Sequence, residues 1–208
     1  ERVFDLYKNT PEYSYYNKGM LLSDFKFIFF WEYFHRLWGR IIGIVFIIPF
    51  VYLILTKKID RFITLRLLVI LFFGSLQAFI GWWMVKSGLI DKPDVSQYRL
   101  AIHFGNSLLI LFLLFWLILD LKNKKSKIKF DLNLIIFLIL FVTIIAGSLV
   151  AGMDAGLMYN TYPLMNDSFF PIDYLSLGFL DPFENPGSAQ FHHRHLGLIS
   201  LITIGIFF

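Results

Sequence analysis

Long apolar stretches alternate with short polar ones along most of the chain. Five apolar runs are near or above ~18 residues, the length that crosses the hydrocarbon core of a bilayer as an α-helix. They lie at about Phe27–Leu55, Phe62–Val85, Leu100–Leu119, Leu132–Ala151 and from Phe191 to the end. Pro49 lies inside the first run, and we expect that helix to tilt, kink or project beyond the bilayer. The pattern predicts an all-α fold, a polytopic membrane helical bundle.

The composition agrees with this prediction and excludes other classes. Of 208 residues, 57% are hydrophobic and only 16% are charged, whereas a soluble domain carries roughly 25% charged residues. This excludes intrinsic disorder, and the absence of Cys excludes a disulfide-stabilised secreted scaffold. The net charge of +4 comes without an exposed basic helix, so we expect no nucleic-acid partner and a lipid bilayer instead.

The distribution of Lys and Arg predicts which loops face which side of the membrane. The first–second and third–fourth loops carry nine of them, namely Lys57, Lys58, Arg61, Arg66, Lys122, Lys124, Lys125, Lys127 and Lys129. Residues 152–190 carry none, and they contain five acidic residues. Basic loops stay on the cytoplasmic or matrix side. Residues 152–190 are therefore predicted to form a long loop on the outer side, which is the periplasm or the intermembrane space.

All five histidines lie near the starts of the first, third and fifth runs, which share the outer side in this topology. They are His35, His103, His192, His193 and His195. A single histidine of this kind is explained equally well as an interfacial side chain that caps a helix. Three helices that present histidine at one depth favour a metal or haem iron bound between them.

An internal repeat separates the histidines of the fifth run. His35-Arg36-Leu-Trp-Gly39 matches His193-Arg194-His-Leu-Gly197 as His-Arg-x-x-Gly. The two copies lie four spans apart and hence run parallel, as in proteins built from two duplicated four-helix halves. His193 is thus predicted to be the counterpart of His35, whereas His192 and His195 are expected to face solvent or lipid headgroups. Glu32 and Arg36 share the helical stripe of His35.

Long motifs across the chain resemble the haem A synthases of bacteria and mitochondria, in their cysteine-free branch. They include Glu32-Tyr-Phe-His-Arg-Leu-Trp-Gly-Arg40, Gln77-Ala-Phe-Ile-Gly-Trp-Trp-Met-Val-Lys-Ser-Gly88, Val95-Ser-Gln-Tyr-Arg-Leu-Ala-Ile-His103, Ala151-Gly-Met-Asp-Ala-Gly-Leu-Met-Tyr-Asn-Thr-Tyr-Pro-Leu-Met165 and Gln190-Phe-His-His-Arg194. The resemblance implies two pseudo-repeated four-helix halves, of which this chain covers five helices.

The domain boundaries follow from that expectation. Residues 1–26 form an outer-side segment, residues 27–121 hold three helices of the first, substrate-haem half, and residues 122–208 begin the second, resident-haem half. The chain starts at Glu1 without Met and ends at Phe208 inside an apolar run, so we expect both ends to be cut from a longer protein.

The resemblance also implies roles for individual residues. The haem-ligand histidines of the family match His35 and His103 in the first half and His193 in the second, and its acidic residue matches Glu32. The fourth ligand, on the eighth helix, has no counterpart in this chain. Arg36 and Arg194, near the outer surface, can pair with haem propionates.

The implied reaction is the oxidation of a ring methyl of haem O to the formyl group of haem A by successive hydroxylations. A resident haem b in the second half would pass electrons, and haem O would occupy the first half. The implied partners are haem O synthase, an unidentified electron donor and the cytochrome oxidase assembly machinery. The implied location is the bacterial or mitochondrial inner membrane.

Two other classes of protein share part of this pattern. A non-enzymatic b-type cytochrome would also need paired histidines on facing helices, and only the family motifs argue against it. A transporter would explain the parallel repeat and the charges within the membrane. It would place its polar site near the middle of the bilayer, whereas these histidines lie near one end of their helices.

Overall fold

The computed structural model describes residues 1–90, 95–123 and 132–207. These residues form eight α-helices: α1 (Arg2–Tyr7), α2 (Pro11–Tyr15), α3 (Leu22–Leu55), α4 (Arg61–Ile90), α5 (Gln97–Asn123), α6 (Leu132–Gly152), α7 (Asp181–Glu184) and α8 (Pro186–Phe207). Two 3₁₀ turns, Ala155–Leu157 and Gly178–Leu180, lie between α6 and α7. The described residues contain no β-strand. The all-α prediction is therefore confirmed.

Four of the five predicted spans are long and apolar enough to cross a membrane, and the protein is a multi-pass membrane protein. They are Leu22–Leu55, Arg61–Lys86, Gln97–Lys122 and Leu132–Gly152. The fifth run forms α8, which does not meet the same criterion over its described residues because Gln190–His195 make its first turns polar. The side chains of the four spans remain largely exposed, as expected of surfaces that face lipid.

Helix α3 is longer than a bilayer requires. Its 34 residues extend over ~51 Å at 1.5 Å per residue, whereas the hydrocarbon core is ~30 Å thick. The helix continues through Pro49 without a break. It begins at Leu22, five residues before the predicted start. The prediction began later because Ser23 and Asp24 of the first turn are polar and interrupt the apolar run, although they are compatible with a helix.

Helix α8 also begins five residues earlier than predicted, at Pro186 instead of Phe191. Asn185 caps it, since its side-chain Oδ1 accepts hydrogen bonds from the backbone N–H groups of Gly187 (3.0 Å) and Ser188 (3.3 Å). Proline suits the first helical position, where no backbone donor is needed. Asn-Pro is thus a start signal that hydrophobicity alone does not detect.

The described contacts divide the chain into two compact units. The first unit comprises Glu1–Val95 and Asn106–Lys125, and the second comprises Ser96–Gly105 and Ser126–Phe208. Helix α5 thus contributes its first turns to the second unit and its remainder to the first. The predicted boundaries at 26 and 121 remain predictions. Four of the lysines on which the predicted topology rests, Lys124, Lys125, Lys127 and Lys129, lie outside the described residues.

In the first unit, polar side chains connect α4 to α5. The amide of Asn106 donates to Gln77 Oε1 (2.6 Å) and to the Phe73 carbonyl (3.1 Å). Nearer the start of α4 and the end of α5, Arg66 forms an ion pair with Asp120, whose side chain is only 4% exposed. The Arg66 guanidinium lies 4.6 Å from the ring centre of Trp116. Such buried charges are tolerated in a membrane span when they are paired.

In the second unit, α6 and α8 pack together along their length. The hydroxyls of Thr143 and Ser200 hydrogen-bond at 2.8 Å, and the Thr143 hydroxyl also donates to Ile139 O of its own helix at 2.8 Å. The segment between the two helices, residues 153–185, is called the α6–α8 segment below. It packs onto α8 through a cluster formed by Tyr159, Met165 and Phe191.

Candidate functional site

Glu32, His35 and Arg36 lie together on α3, in the first unit. Arg36 Nη2 donates to Glu32 Oε2 at 3.2 Å, one helical turn away. The two side chains are 48% and 55% exposed, and His35 is exposed as well. Within the described residues, nothing beyond the backbone of α3 itself lies within 4 Å of a Cβ atom added at Gly39 or Gly43. The stripe predicted from the helical spacing is therefore present, and its face is open.

His103 lies in the first turns of α5, within the second unit, and is half-buried. Gly105, two residues further on, faces α6: a Cβ at Gly105 would lie 3.1 Å from Ile145 Cδ1. The turn that carries His103 thus lies close against α6.

His193 lies on α8 and its ring faces α6. Its Nδ1 is 3.1 Å from the backbone carbonyl of Thr143. A carbonyl only accepts hydrogen bonds, so Nδ1 carries the proton, and the lone pair of the neutral imidazole is on Nε2. This is the arrangement of many metal-binding histidines, in which a backbone carbonyl fixes the ring and the second nitrogen binds the metal.

Gly147 makes room for the imidazole of His193. A Cβ at this position would lie 2.8 Å from His193 Cε1, closer than two such atoms approach each other. The ring therefore rests against the backbone of α6, and any side chain at position 147 would displace it.

His192 and His195 have different surroundings from His193. Both are half-buried, which differs from the expectation that they face solvent or headgroups. The His195 ring lies 4.1 Å from the ring of Phe191, and its Nδ1 is 2.8 Å from the Phe191 carbonyl of its own helix. The His192 ring lies 5.8 Å from that of Tyr174. The aromatic residues of the α6–α8 segment cover both rings, which the sequence pattern did not indicate.

Arg194 binds the α6–α8 segment. Its Nη1 donates to the Thr161 carbonyl at 2.8 Å and approaches Met165 Sδ at 3.3 Å, and its Nη2 donates to the Tyr159 carbonyl. Arg36, at the equivalent position of the repeat, instead pairs with Glu32. The role of Arg194 beside a propionate stays a prediction.

Gln190 anchors the same segment. It is 4% exposed, and its side-chain oxygen accepts from the Tyr159 N–H at 3.1 Å. Its amide nitrogen donates to the carbonyls of Gly156 (2.9 Å) and Tyr159 (3.0 Å). Gln190 therefore uses both ends of its amide to hold the chain that precedes α8.

A buried carboxylate, Asp181, organises the end of the segment. It accepts from the backbone N–H groups of Leu175 (2.9 Å) and Leu177 (3.2 Å), and from the side chains of Ser176, Asn185 and Ser188. Burial by itself raises the pKa of Asp181, but these donors outweigh it and lower the pKa to about 2. The residue is thus ionised at neutral pH.

Comparisons with known proteins assign the chain to a family. The family model described as "Cytochrome oxidase assembly protein" matches residues 1–208. The chain belongs to this family.

Its relatives include several proteins named "Heme A synthase". The chain is 43% identical to the one from Nitrosospira multiformis over 100% of its own length and 61% of the relative's. It is 45% identical to one from Wolbachia pipientis subsp. Culex pipiens, over 96% of this chain and 63% of that protein. A third, from Parvibaculum lavamentivorans, is 42% identical over 98% of this chain and 61% of that protein. The chain thus spans about 60% of the length of these relatives. No solved structure matches it.

In this member of the cytochrome oxidase assembly family, the structure separates the predicted site residues into two groups. Glu32, His35 and Arg36 lie in the first unit, whereas His103, His193 and Arg194 lie in the second. No role was predicted for Asp181 or for Gln190, although Gln190 belongs to the motif Gln190-Phe-His-His-Arg194. Each lies beside a recognisable signal, since Asp181 precedes Pro182 at the start of α7 and Gln190 precedes the histidines of α8.

Proposed function

We propose that the chain is the larger part of a haem A synthase, which oxidises a ring methyl of haem O to the formyl group of haem A by successive hydroxylations. The observation that carries the proposal is its end-to-end similarity, at 42–45% identity, to proteins named "Heme A synthase". The matched family supports a role in the assembly of cytochrome oxidase.

The residues of the second unit fit a haem. His193 has Nδ1 on the Thr143 carbonyl, and a glycine at position 147 leaves space for its ring. An imidazole with a fixed tautomer and an available Nε2 is suited to bind haem iron. His193 is therefore proposed to hold a resident haem b, together with a histidine of the full-length protein.

The residues of the predicted first half, residues 27–121, would bind the substrate, haem O. His35 and His103 are proposed as the iron ligands of haem O, on two different helices, α3 and α5. A porphyrin is large and apolar, and the apolar side chains of these helices suit its faces. When bound, the haem iron supplies the oxidising chemistry, and the protein supplies position, electrostatics and proton transfer.

The charged residues near the histidines have separate proposed roles. Glu32, one turn from His35, is proposed to hold or move a proton beside the methyl group that is oxidised. Arg36 is proposed to pair with a propionate on the first-half haem. Arg194 has five N–H donors, of which three are directed at Tyr159, Thr161 and Met165. The remaining donors of Arg194 are proposed to approach a propionate of the second haem.

The cellular setting belongs to the same proposal. The enzyme would receive haem O from haem O synthase and electrons from a separate donor, and it would deliver haem A to the cytochrome oxidase assembly machinery. The membrane would be the bacterial or mitochondrial inner membrane. The hydroxylations require electrons that the described residues do not themselves provide.

Haem extraction tests the proposal. The full-length protein is expressed in cells that make haem O but no haem A, and the haems are extracted and separated. Haem A formed from haem O supports the proposal. A purified protein that shows a reduced-minus-oxidised haem spectrum but forms no haem A would be a non-enzymatic b-type cytochrome. A protein without any haem spectrum would favour a transporter.

A further inference from the structure

The start of α5 is bound to α7 mainly through the carboxylate of Glu184. Tyr98 Oη donates to Glu184 Oε1 at 2.5 Å, and Gln97 Nε2 donates to Glu184 Oε2 at 3.3 Å. The same Gln97 nitrogen is 3.3 Å from the Phe183 carbonyl. Both oxygens of Glu184 thus accept hydrogen bonds from adjacent residues of α5. A carboxylate that uses both oxygens fixes the orientation of its partners as well as their distance.

The backbone of α5 meets α6 at the same place. A Cβ at Gly152 would lie 2.6 Å from Gln97 Cα, so glycine at the end of α6 permits a backbone contact that no other residue allows. Gly105 lies close to Ile145 in the same manner. The stretch from Gln97 to Gly105 is therefore held at both ends, and His103 lies inside it, ~7.5 Å along the helix from Tyr98.

Glu184 immediately precedes the start of α8, the helix that carries His193. Asn185, the next residue, caps α8, and Asp181 of the same short helix accepts from Ser188 in the first turn of α8. Consistent with these bonds, Ser96–Gly105 belongs to the second compact unit, together with α6, the α6–α8 segment and α8. The rest of α5 belongs to the first unit. Glu184 thus connects the turn that carries His103 to the start of the helix that carries His193.

We propose that Glu184 is a positioning residue for His103: through Tyr98 and Gln97 it fixes the first turns of α5 against α6, and so sets where the imidazole of His103 is presented. This rests on the proposed function, in which His103 binds the iron of the first-half haem. In this proposal Glu184 acts through Tyr98 and Gln97 and does not itself bind the haem. Its effect is on geometry, and displacements of ~1 Å at a ligand are enough to impair reactivity strongly.

The test uses the purified full-length protein with its bound haems and reads their optical and electron paramagnetic resonance spectra. The His103→Ala variant first identifies the signal of the haem that His103 binds. Glu184→Ala and Tyr98→Phe are expected to shift that same signal. The signal of the second haem, which is identified by its loss in His193→Ala, is expected to remain unchanged in both variants. Asp167→Asn, an exposed acidic residue of the α6–α8 segment, is the matched control and is expected to change neither.

Two further variants separate positioning from general loss of structure. Because Tyr98 and Glu184 act as one pair, the double variant Tyr98→Phe/Glu184→Ala is expected to shift the signal no further than the stronger single variant. Glu184→Gln retains an acceptor for Tyr98 and is expected to restore most of the native spectrum.

Each remaining outcome decides against a specific statement. If the signal of the haem that His103 binds is the same in Glu184→Ala and Tyr98→Phe as in Asp167→Asn, the positioning role is overturned while the proposed function stands. If His103→Ala leaves every haem signal unchanged, the ligand assignment of the proposed function is overturned, and the positioning role with it.

Discussion

His193 shows how a few neighbouring residues determine the chemistry of one side chain. The carbonyl of Thr143 fixes the tautomer of its ring, and Gly147 provides the space for it. The histidines on either side, His192 and His195, lie among aromatic rings of the α6–α8 segment. Three histidines within four positions therefore have different environments, and the one chosen by the His-Arg-x-x-Gly repeat is the one whose Nδ1 is bound by another helix.

Gly147→Ala is expected to weaken haem binding in the second half. The added methyl would lie 2.8 Å from His193 Cε1, so the ring or the helix has to move. Overpacking of this kind costs ~1–3 kcal/mol, which corresponds to roughly 5–150-fold weaker binding. Haem titration of the full-length protein measures this. Gly205→Ala, where nothing described lies within 4 Å, is the control, and equal affinities for the two variants would contradict the packing argument.

Asp181→Asn is expected to loosen the α6–α8 segment at neutral pH. The native pKa of about 2 is below the usual value of 3.8, so the ionised form stabilises the fold above about pH 4. This stabilisation is lost as the pH falls through the native pKa. The hydrogen-exchange protection factors of residues 171–181 are expected to be low in the variant at pH 7, and in the native protein to decline only as the pH falls from about 4 to about 2. An unchanged exchange rate in the variant would show that the donors do not need the charge.

At the scale of elements, the apolar pattern predicted the helices well and their polar ends poorly. The runs at Phe62–Val85 and Leu132–Ala151 lie within α4 and α6, because a membrane span is defined by apolar side chains. The starts of α3 and α8 lie outside the apolar runs, because the first turn of α3 is polar and α8 begins at the cap formed by Asn185. The bonds of Asp181 and Gln190 could not be predicted, since they join residues whose proximity depends on the fold of the whole segment.

Arg194 of α8 and Arg36 of α3 occupy matching positions of the His-Arg-x-x-Gly repeat, so the same substitution can be compared in the two helices. Arg194→Lys is expected to make the α6–α8 segment sensitive to proteolysis, because a lysine cannot reach the Tyr159 and Thr161 carbonyls with two separate nitrogens. Arg36→Lys, at the matching position of the repeat, keeps a simple pair with Glu32 and is expected to leave the segment protected. Timed digestion of the folded protein checks both, and equal cleavage of the two variants would contradict the anchoring role of Arg194.

At the scale of the whole molecule, the topology of the chain in the membrane still rests on loop charge. Since the chain has no Cys, single cysteines report their side without a background. Lys58→Cys, in the loop after α3, is expected to react only with reagents on the cytoplasmic or matrix side. Phe179→Cys, at a residue that is 89% exposed, is expected to react from the outer side. Labelling of both positions from the same side would overturn the predicted topology.

Within the proposed function of the whole molecule, Glu32 is the residue proposed to act most directly in the chemistry. The carboxylate is 3.2 Å from Arg36, and both side chains are about half exposed, 55% and 48%. A purely structural ion pair with this exposure contributes only ~0–1 kcal/mol, so it gives little reason for a carboxylate next to a proposed haem ligand. A positioned acid–base group contributes ~10²–10⁴-fold to a reaction rate.

Glu32→Gln separates these two explanations, because it keeps the shape of the side chain and removes its charge. We expect the full-length variant to fold and to retain haem, to form haem A at least ~10²-fold more slowly, and to accumulate a hydroxylated haem, since proton transfer at the ring methyl is lost. Arg36→Gln is the matched control: it breaks the same ion pair and leaves the carboxylate in place, so it is expected to affect haem retention more than the rate. Haem extraction at equal protein levels measures both variants. If both variants reduce haem A formation equally, Glu32 acts as a member of the ion pair and not as the acid–base group.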